Sequence, residues 1–317
     1  GCVSLTGYSD LEKRLRDRGA KIVALQFPAG LKRRAGEIAQ FLKEQGFEVI
    51  VSGDPCYGAC DLAVEALDHA DVLVHFGHTP LENPDPRVIF EPYRVDFDPG
   101  ILKNALPCLK ARRVGLVTTA QHLHLLDAMR AVLAATGVEA VTAKGTRGCA
   151  EGQVLGCSFG AARVQGAEEI LFVGTGVFHP IGVQLATGLR VVALDPFTGQ
   201  VQEVSAEKFL RRRHALIEKA RSAEMIGLLV STKTGQGRYE LARGMAGRCK
   251  RAILLLMREI SPDELTNLGF SAYVNFACPR LAYDDQIRFP APVLTPQEFS
   301  ILLGDRPFSD YRIDELP

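Results

Sequence analysis

The sequence predicts an α/β fold of three related Rossmann-like domains, each built on a parallel sheet. Short runs rich in β-branched residues alternate with helical stretches along all 317 residues, which is typical of parallel α/β proteins. The alternation starts again after a proline-rich stretch at 84–107 and once more after a charged helix at 206–222. Because each unit has the usual size of a domain, we predict domains at 1–105, 106–205 and 206–317.

The individual elements follow from the spacing of their apolar residues. Short apolar runs flanked by turn-forming residues predict buried strands at 21–27, 47–53, 71–77, 113–119, 139–144, 169–176, 190–196, 226–232, 252–258 and 271–277. Apolar residues spaced three and four apart predict helices at 31–45, 61–70 and 206–222, and the segment 292–299 leads into a last short helix.

Charge and hydropathy exclude some classes of function. The 37 Lys and Arg residues balance the 37 Asp and Glu residues, which argues against a broad basic surface for direct nucleic-acid binding. The densest basic patch, Arg211–Arg213 with His214, is interpreted as a solvated helix face. No apolar run approaches the about 18–20 residues of a membrane span, and the first residues lack the apolar core of a signal peptide. We therefore expect a cytoplasmic protein whose cysteines are thiols or metal ligands.

Three of the eight cysteines occupy comparable places. Cys60 and Cys157 each lie in a glycine-containing loop between a predicted strand and a predicted helix, and Cys278 directly follows a predicted strand. Ligand sites of parallel sheets form at the carboxyl ends of the strands. Helix N-termini near Cys60 and Cys157 would favour their thiolates, which are the usual ligands of iron–sulfur clusters. If the three domains are arranged around a central cluster site, three thiolates would leave one iron open to substrate.

The other cysteines have simpler interpretations. Cys2, Cys108 and Cys249 lie outside glycine-rich loops and are interpreted as core residues. Cys56, four residues before Cys60, would suit half of a zinc site, but we expect no second closely spaced Cys or His pair to complete it. Cys149 stays unassigned, and the spacing of the cysteines does not by itself select the cluster ligands.

Several unusual strings resemble a known family in the same order along the chain. They are LQFPAGL (25–31), GDPCYGACD (53–61), FGHTPL (76–81), TTAQHLHLL (118–126), GQVLGCSFG (152–160), VGTGVFHPIG (173–182), STKTGQGR (231–238) and NFACPRLAYDD (275–285). They are similar to the archaeal diphthamide-synthesis enzymes, the 2-(3-amino-3-carboxypropyl)histidine synthases. The family more often has an acidic residue where Ala29 stands.

The resemblance implies an S-adenosylmethionine-dependent radical transferase. In this family, three Rossmann-like domains each supply one cysteine to a 4Fe-4S cluster, and the matching positions are Cys60, Cys157 and Cys278. The cofactor S-adenosylmethionine is cleaved between sulfur and Cγ, and the 3-amino-3-carboxypropyl group is transferred to C2 of a histidine in translation elongation factor 2. The implied partners are that factor, an electron donor and a second copy of the chain in a homodimer.

Contacts to S-adenosylmethionine are predicted in two loops. Gly174 and Gly176 offer a backbone turn that would approach the cofactor, Gln236 would bind a polar group, and Lys233 would pair with its carboxylate. A loop-structuring role is the alternative for each of them. His122, His124 and His179 are interpreted as structural histidines.

Two other classes of function stay open at this stage. Quinolinate synthase, a dehydrating condensation enzyme, resembles the same architecture with one cysteine per domain, although the motif strings fit the diphthamide family better. A non-catalytic α/β binding or accessory protein is the second alternative, and it predicts a chain that binds no iron.

Overall fold

A computed structural model of the chain describes residues 8–81, 83–147, 149–233 and 235–316. The chain separates into two compact units, of which the first ends at Arg94 and the second begins at Val95. Cys2 lies outside the described residues. Among the helices of those four ranges, none combines the length and the apolar character that a membrane crossing requires.

The first unit contains one four-stranded parallel sheet. Its strands are β1 (Ile22–Gln26), β2 (Glu48–Val51), β3 (Val72–Phe76) and β4 (Val88–Glu91). Its helices are α1 (Ser9–Asp17) and α2 (Ala35–Glu44), with 3-10 helices at Ala29–Arg34 and Val64–Asp68. Apolar clusters centred on Leu25 and Leu73 cover the two faces of this sheet.

The second unit contains two further sheets. The earlier one comprises β5 (Arg113–Thr118), β6 (Glu139–Val141), β7 (Glu169–Val173), β8 (Arg190–Leu194) and the antiparallel β9 (Val201–Glu203). The helices of this part are α3 (Leu126–Ala134) and α4 (Phe178–Thr187), with 3-10 helices at Pro99–Cys108, Ala120–Leu125 and Gly160–Ala162.

The last sheet is again parallel and has four strands. They are β10 (Ile226–Ser231), β11 (Ala252–Met257), β12 (Ala272–Asn275) and β13 (Val293–Leu294). The helices are α5 (Glu207–Arg221), α6 (Tyr239–Ala246), α7 (Pro262–Leu268), α8 (Pro279–Asp284) and α9 (Pro296–Leu302), with 3-10 helices at Gln286–Arg288 and Phe308–Asp310.

One strand order recurs in all three sheets. Counted within each sheet, the second strand pairs with the first, the first with the third and the third with the fourth. The mixed α/β architecture with mostly parallel sheets is therefore as predicted. The direction of winding reverses between the first and third strands, and loops diverge there to leave a crevice at the carboxyl ends. The boundaries between the three predicted domains, at 105/106 and 205/206, remain a prediction.

The strand predictions agree with the structure within a few residues, whereas the helix predicted at 61–70 is wrong. Only the 3-10 helix Val64–Asp68 forms there. The side chain of Gln26 explains this difference, because its Nε2 donates to the carbonyl oxygen of Asp61 and its Oε1 accepts from the amide of Ala63. The Asp61 carbonyl, which in an α-helix would accept from the amide of Glu65, is thus bonded to Gln26 instead.

The interpretation of Arg211–Arg213 as a solvated face is wrong for Arg213. Its side chain is 3 % exposed and donates from Nε and Nη2 to the carboxylate of Glu298, which is fully buried. Further bonds run from Nη1 to the carbonyl of Ala282 and from Nη2 to the carbonyl of Val293. Glu298 also closes the capping box of α9, so one ion pair joins α5, α8, β13 and α9.

We predict that Arg213→Met lowers the free energy of unfolding by about 3–5 kcal/mol, because it leaves the Glu298 carboxylate buried without its cation. Urea titration of the purified chain measures this change. Arg212→Met, at the neighbouring exposed position, is the matched control and should change the free energy by less than about 0.5 kcal/mol. Equal effects of the two variants would contradict the assignment of Arg213 to the core.

Candidate active site

The predicted site residues of the second unit lie at the carboxyl ends of strands where the winding reverses. Gly174 and Gly176 follow β7, and Lys233 and Gln236 follow β10. Cys278 follows β12, which pairs with β10. These are the positions at which doubly wound sheets bind ligands.

Cys278 is half-buried in a turn that side chains hold in place. The buried Asn275 donates from Nδ2 to the Cys278 carbonyl at 2.7 Å, and its Oδ1 accepts from the Ala277 amide at 3.0 Å. Arg238 donates from Nε to the carbonyl of Phe276 and from Nη2 to the carbonyl of Ala277. The backbone on the N-terminal side of Cys278 is therefore fixed before any ligand binds.

The guanidinium of Arg238 is neutralised by Asp314. Two bonds of 2.9 and 2.8 Å join them, and the side chains are 8 % and 1 % exposed. Burial raises the pKa of the Asp314 carboxyl, while Arg238 acts in the opposite direction. The hydroxyl oxygen of Tyr283 accepts the hydrogen of the Asp314 backbone amide at 2.8 Å, which fixes the backbone of this C-terminal segment.

Cys157 lies in a loop that the same C-terminal segment holds. The amide of Leu316 donates to the Cys157 carbonyl at 2.9 Å, and the amide of Phe159 donates to Glu315 Oε1 at 2.7 Å. The neighbouring Gly156 packs so closely against Arg280 that a Cβ at this position would lie 2.3 Å from Arg280 Cδ. The loop of Cys157 therefore contacts the helix that begins directly after Cys278.

Cys60 belongs to the first unit, in the loop after β2. The loop is closed by the Asp61 amide donating to the carbonyl of Gly58 and by the Tyr57 amide donating to the Asp61 carboxylate. Gln26, the last residue of β1, donates to the carbonyl of Asp61 at 2.7 Å. Cys60 is half-buried, so its thiol lies at the edge of this unit's interior.

The expectation of α-helix N-termini beside Cys60 and Cys157 is not met. A 3-10 helix, Val64–Asp68, follows Cys60, and the 3-10 helix Gly160–Ala162 follows Cys157. Such short turns lack the aligned peptide dipoles of several helical turns.

The predicted cofactor-binding residues have protein contacts of their own. Lys233 Nζ lies 2.8 Å from Glu259 Oε2. Gln236 is buried, and its backbone amide donates to the Lys233 carbonyl. Gly174 packs on the ring of Phe172, and Gly176 has φ +78°, a backbone conformation that favours glycine. Their contacts to S-adenosylmethionine remain predictions.

The remaining cysteines contact apolar clusters or lie buried. Cys108 and Cys249 pack against buried apolar residues. Burial raises the pKa of the Cys149 thiol to about 11, which favours its protonated form.

The histidines of the second unit have local partners. His122 is buried and its Nδ1 lies 2.9 Å from the Val95 carbonyl, while His124 pairs with Asp96 at 2.7 Å. The ring of His179 stacks parallel to that of Phe172 with a centroid distance of 6.1 Å.

A further cluster in the first unit was not predicted from the sequence. The thiol of Cys56 and the imidazoles of His75 and His78 place one ligand atom each within 4.8 Å of one another. Burial lowers the pKa of His75 to about 3 and that of His78 to about 4, so both rings are neutral at pH 7. The signal in the sequence was the pair of histidines spaced three apart in HFGH (75–78).

We predict that Asn275→Ala lowers the free energy of unfolding by about 1–3 kcal/mol, because it leaves the Ala277 amide without its buried acceptor. Urea titration measures the loss. Asn267→Ala, at an exposed position of α7, is the control and should lie within about 0.5 kcal/mol of the parent. A parent-like Asn275→Ala would show that the turn of Cys278 does not depend on this side chain.

We predict a loss of stability in acid to which His179 contributes. Burial, with Arg280 nearby, lowers its pKa from 6.5 to about 4, so the unfolded chain binds a proton that the folded chain resists. The contribution of His179 to the free energy of unfolding is complete above pH 6.5. It is lost as the pH falls toward 4, by up to about 1.4 kcal/mol per pH unit. His75 and His78 act in the same direction.

Urea titrations between pH 4.5 and 7.5 test this prediction. His179→Phe should reduce the slope of stability against pH by up to one proton, and His69→Phe, at an exposed position, is the matched substitution for comparison. An unchanged slope in His179→Phe would contradict the assignment.

Comparison with known proteins adds a family to this geometry. Residues 27–312 match the family model described as a diphthamide synthesis protein. The 2-(3-amino-3-carboxypropyl)histidine synthase of Pyrococcus horikoshii is 40 % identical, over 97 % of this chain and 92 % of the relative. Subunit 1 of the human enzyme of that name is 32 % identical, over 92 % of this chain and 70 % of the relative.

Solved structures agree with this result. The crystal structure of Dph2 from Pyrococcus horikoshii with a 4Fe-4S cluster superimposes with a TM-score of 0.91 at 39 % identity, and the match covers 97 % of this chain and 92 % of that one. The chain belongs to the diphthamide synthesis family, as do these two 2-(3-amino-3-carboxypropyl)histidine synthases.

Proposed function

We propose that the chain catalyses the first step of diphthamide synthesis. It would transfer the 3-amino-3-carboxypropyl group of S-adenosylmethionine to C2 of a histidine in translation elongation factor 2. The observation that carries this proposal is the nearly full-length match to the Pyrococcus synthase and to the Dph2 structure with a 4Fe-4S cluster. The partners in this proposal are the elongation factor, an electron donor and a second copy of the chain.

The cluster ligands in this proposal are Cys60, Cys157 and Cys278. All three are half-buried thiols in turns whose backbones are held by hydrogen bonds, so the donor set suits a 4Fe-4S cluster. Three protein ligands leave one iron able to contact S-adenosylmethionine. When bound, the cluster supplies the single electron that cleaves the sulfur–Cγ bond, which yields methylthioadenosine and a 3-amino-3-carboxypropyl radical.

The protein groups bind and orient S-adenosylmethionine in this mechanism. The Gly174–Gly176 turn admits close approach of its backbone, and Lys233 supplies a cation for the carboxylate when it exchanges its partner Glu259. Placing Cγ rather than C5′ toward the cluster decides which bond of the sulfonium breaks. After the radical adds to C2, the adduct would release the C2 proton to solvent and return one electron to the oxidised cluster, which would restore the aromatic imidazole and leave the transfer without net oxidation.

We predict that Cys60→Ala, Cys157→Ala and Cys278→Ala each lose most of the cluster after anaerobic reconstitution. Iron and sulfide analysis and the electron paramagnetic resonance spectrum of the reduced protein measure this loss. The reconstituted parent should hold about four irons and four sulfides per chain. Cys108→Ala, whose thiol packs against an apolar cluster, is the matched control and should retain the cluster.

Product analysis separates this function from its alternatives. With a chemical reductant and S-adenosylmethionine, the parent should form methylthioadenosine and increase the mass of elongation factor 2 by one aminocarboxypropyl group. A chain that binds a cluster but forms no methylthioadenosine would contradict the transferase. A chain that binds no iron would favour a non-catalytic accessory protein.

A further inference from the structure

The cluster of Cys56, His75 and His78 lies where the winding of the first sheet reverses. His75 belongs to β3 and is the register partner of Gln26 at the end of β1, while His78 lies just beyond β3. Cys56, which is 5 % exposed, comes from the loop after β2. Three segments of the first unit thus bring one sulfur and two imidazoles together, with their ligand atoms within 4.8 Å of one another.

The hydrogen bonds of Gln26 determine which nitrogen of His75 faces this cluster. Gln26 donates from Nε2 to the Asp61 carbonyl and accepts the Ala63 amide at Oε1, so the orientation of its amide group is fixed. Its Oε1 also lies 2.8 Å from His75 Nδ1, which must therefore carry the hydrogen. The lone pair of His75 is consequently on Nε2, the atom that lies 2.9 Å from His78 Nδ1.

This arrangement has the form of a metal ligand with its supporting shell. Histidines that bind metals donate their other ring hydrogen to a carbonyl or carboxylate oxygen, which fixes both tautomer and ring orientation. His75 already has such a partner in Gln26, and its ring is fully buried. The lone pair of Nε2 is therefore directed toward His78 Nδ1, and the ligand atoms of this cluster, the Cys56 sulfur included, lie within 4.8 Å of one another.

We infer that Cys56, His75 and His78 bind one divalent transition-metal ion of the zinc class. One thiolate and two imidazoles are typical zinc ligands, whereas magnesium and calcium prefer oxygen. Bonds of about 2.0–2.3 Å in a tetrahedral site require ligand atoms about 3.3–3.7 Å apart, so small rotations of the side chains are sufficient. A fourth position is left for water or another small ligand.

Binding has a definite proton balance. In the metal-free form His78 donates its Nδ1 hydrogen to His75 Nε2, and the Cys56 thiol points toward the Gly58 carbonyl at 3.9 Å. When the ion binds, His78 moves its hydrogen from Nδ1 to Nε2, and Cys56 releases one proton to solvent as its sulfur bonds the metal. No electron is transferred, and the inference does not depend on the proposed function.

Cobalt(II) titration of the full chain carrying Cys60→Ala, Cys157→Ala and Cys278→Ala tests the site, because these substitutions remove the competing cluster thiols. We expect one tight equivalent of cobalt, with a thiolate-to-cobalt charge-transfer band and the intense visible bands of tetrahedral cobalt, and competition by zinc. Adding Cys56→Ala should remove the charge-transfer band. Adding His78→Ala should weaken binding more than about a hundredfold.

Matched variants control for general effects of substitution. We add Cys249→Ala or the exposed His69→Ala to the same triple-alanine chain. Each of these variants should bind cobalt as tightly as the triple-alanine chain itself. Gln26→Ala should keep the charge-transfer band but weaken binding about 10–100-fold, and Gln26→Glu, which restores an oxygen acceptor for His75, should recover most of it. Urea titration of each variant verifies that it folds.

The inference is overturned when the folded chain carrying Cys60→Ala, Cys157→Ala and Cys278→Ala binds no equivalent of cobalt. It is also overturned when Cys56→Ala retains the charge-transfer band, or when His78→Ala binds as tightly as His69→Ala. The cluster assay of Cys60, Cys157 and Cys278 is independent of each of these results, so failure of this site and failure of the proposed function can be told apart.

Discussion

The buried ion pair between Arg238 and Asp314 is the interaction on which the candidate site of the second unit depends. Arg238 holds two carbonyls on the N-terminal side of Cys278, and Asp314 is followed within two residues by Leu316, which holds the carbonyl of Cys157. A buried guanidinium or carboxylate is costly without its partner, so the two ends of this chain of contacts form together. The turns of both cysteines are thereby coupled by residues that supply no thiol.

The repeated strand order explains why chemically active residues collect at particular loops. In each sheet the first and third strands are neighbours, and the loops that leave them diverge. The last sheet places Cys278, Lys233 and Gln236 on those loops, and the first sheet places His78 there. Sites of different composition can thus form on one architecture, because the sheet supplies the position and the loop residues supply the chemistry.

The strands could be predicted closely because parallel strands buried on both faces have continuous apolar sequences, as β7 and β10 show. The errors come from partners distant in the sequence. Gln26 bonds to the Asp61 carbonyl that a helix at 61–70 would need, and Arg213 is buried with Glu298, 85 residues later. Gln26 lies outside the segment 61–70 and Glu298 lies outside α5, so the helical pattern of neither segment indicates these contacts. The sequence suits Cys56 and Cys60 as half of a zinc site but does not indicate His75 and His78 as neighbours of Cys56, because they lie on another strand and the loop beyond it.

Gln26 connects the unpredicted cluster with the loop of Cys60. One amide group supports the His75 ring through Oε1 and the carbonyl of Asp61, the residue after Cys60, through Nε2. Cys56 and Cys60 also share the loop that the Asp61 side chain closes at Tyr57. A displacement of either histidine that rotates the Gln26 amide would therefore break a bond to the Cys60 loop. Since a buried amide that loses one of these bonds costs about 1–3 kcal/mol, the order of the Cys56–His75–His78 cluster and the placement of the Cys60 thiol are energetically linked.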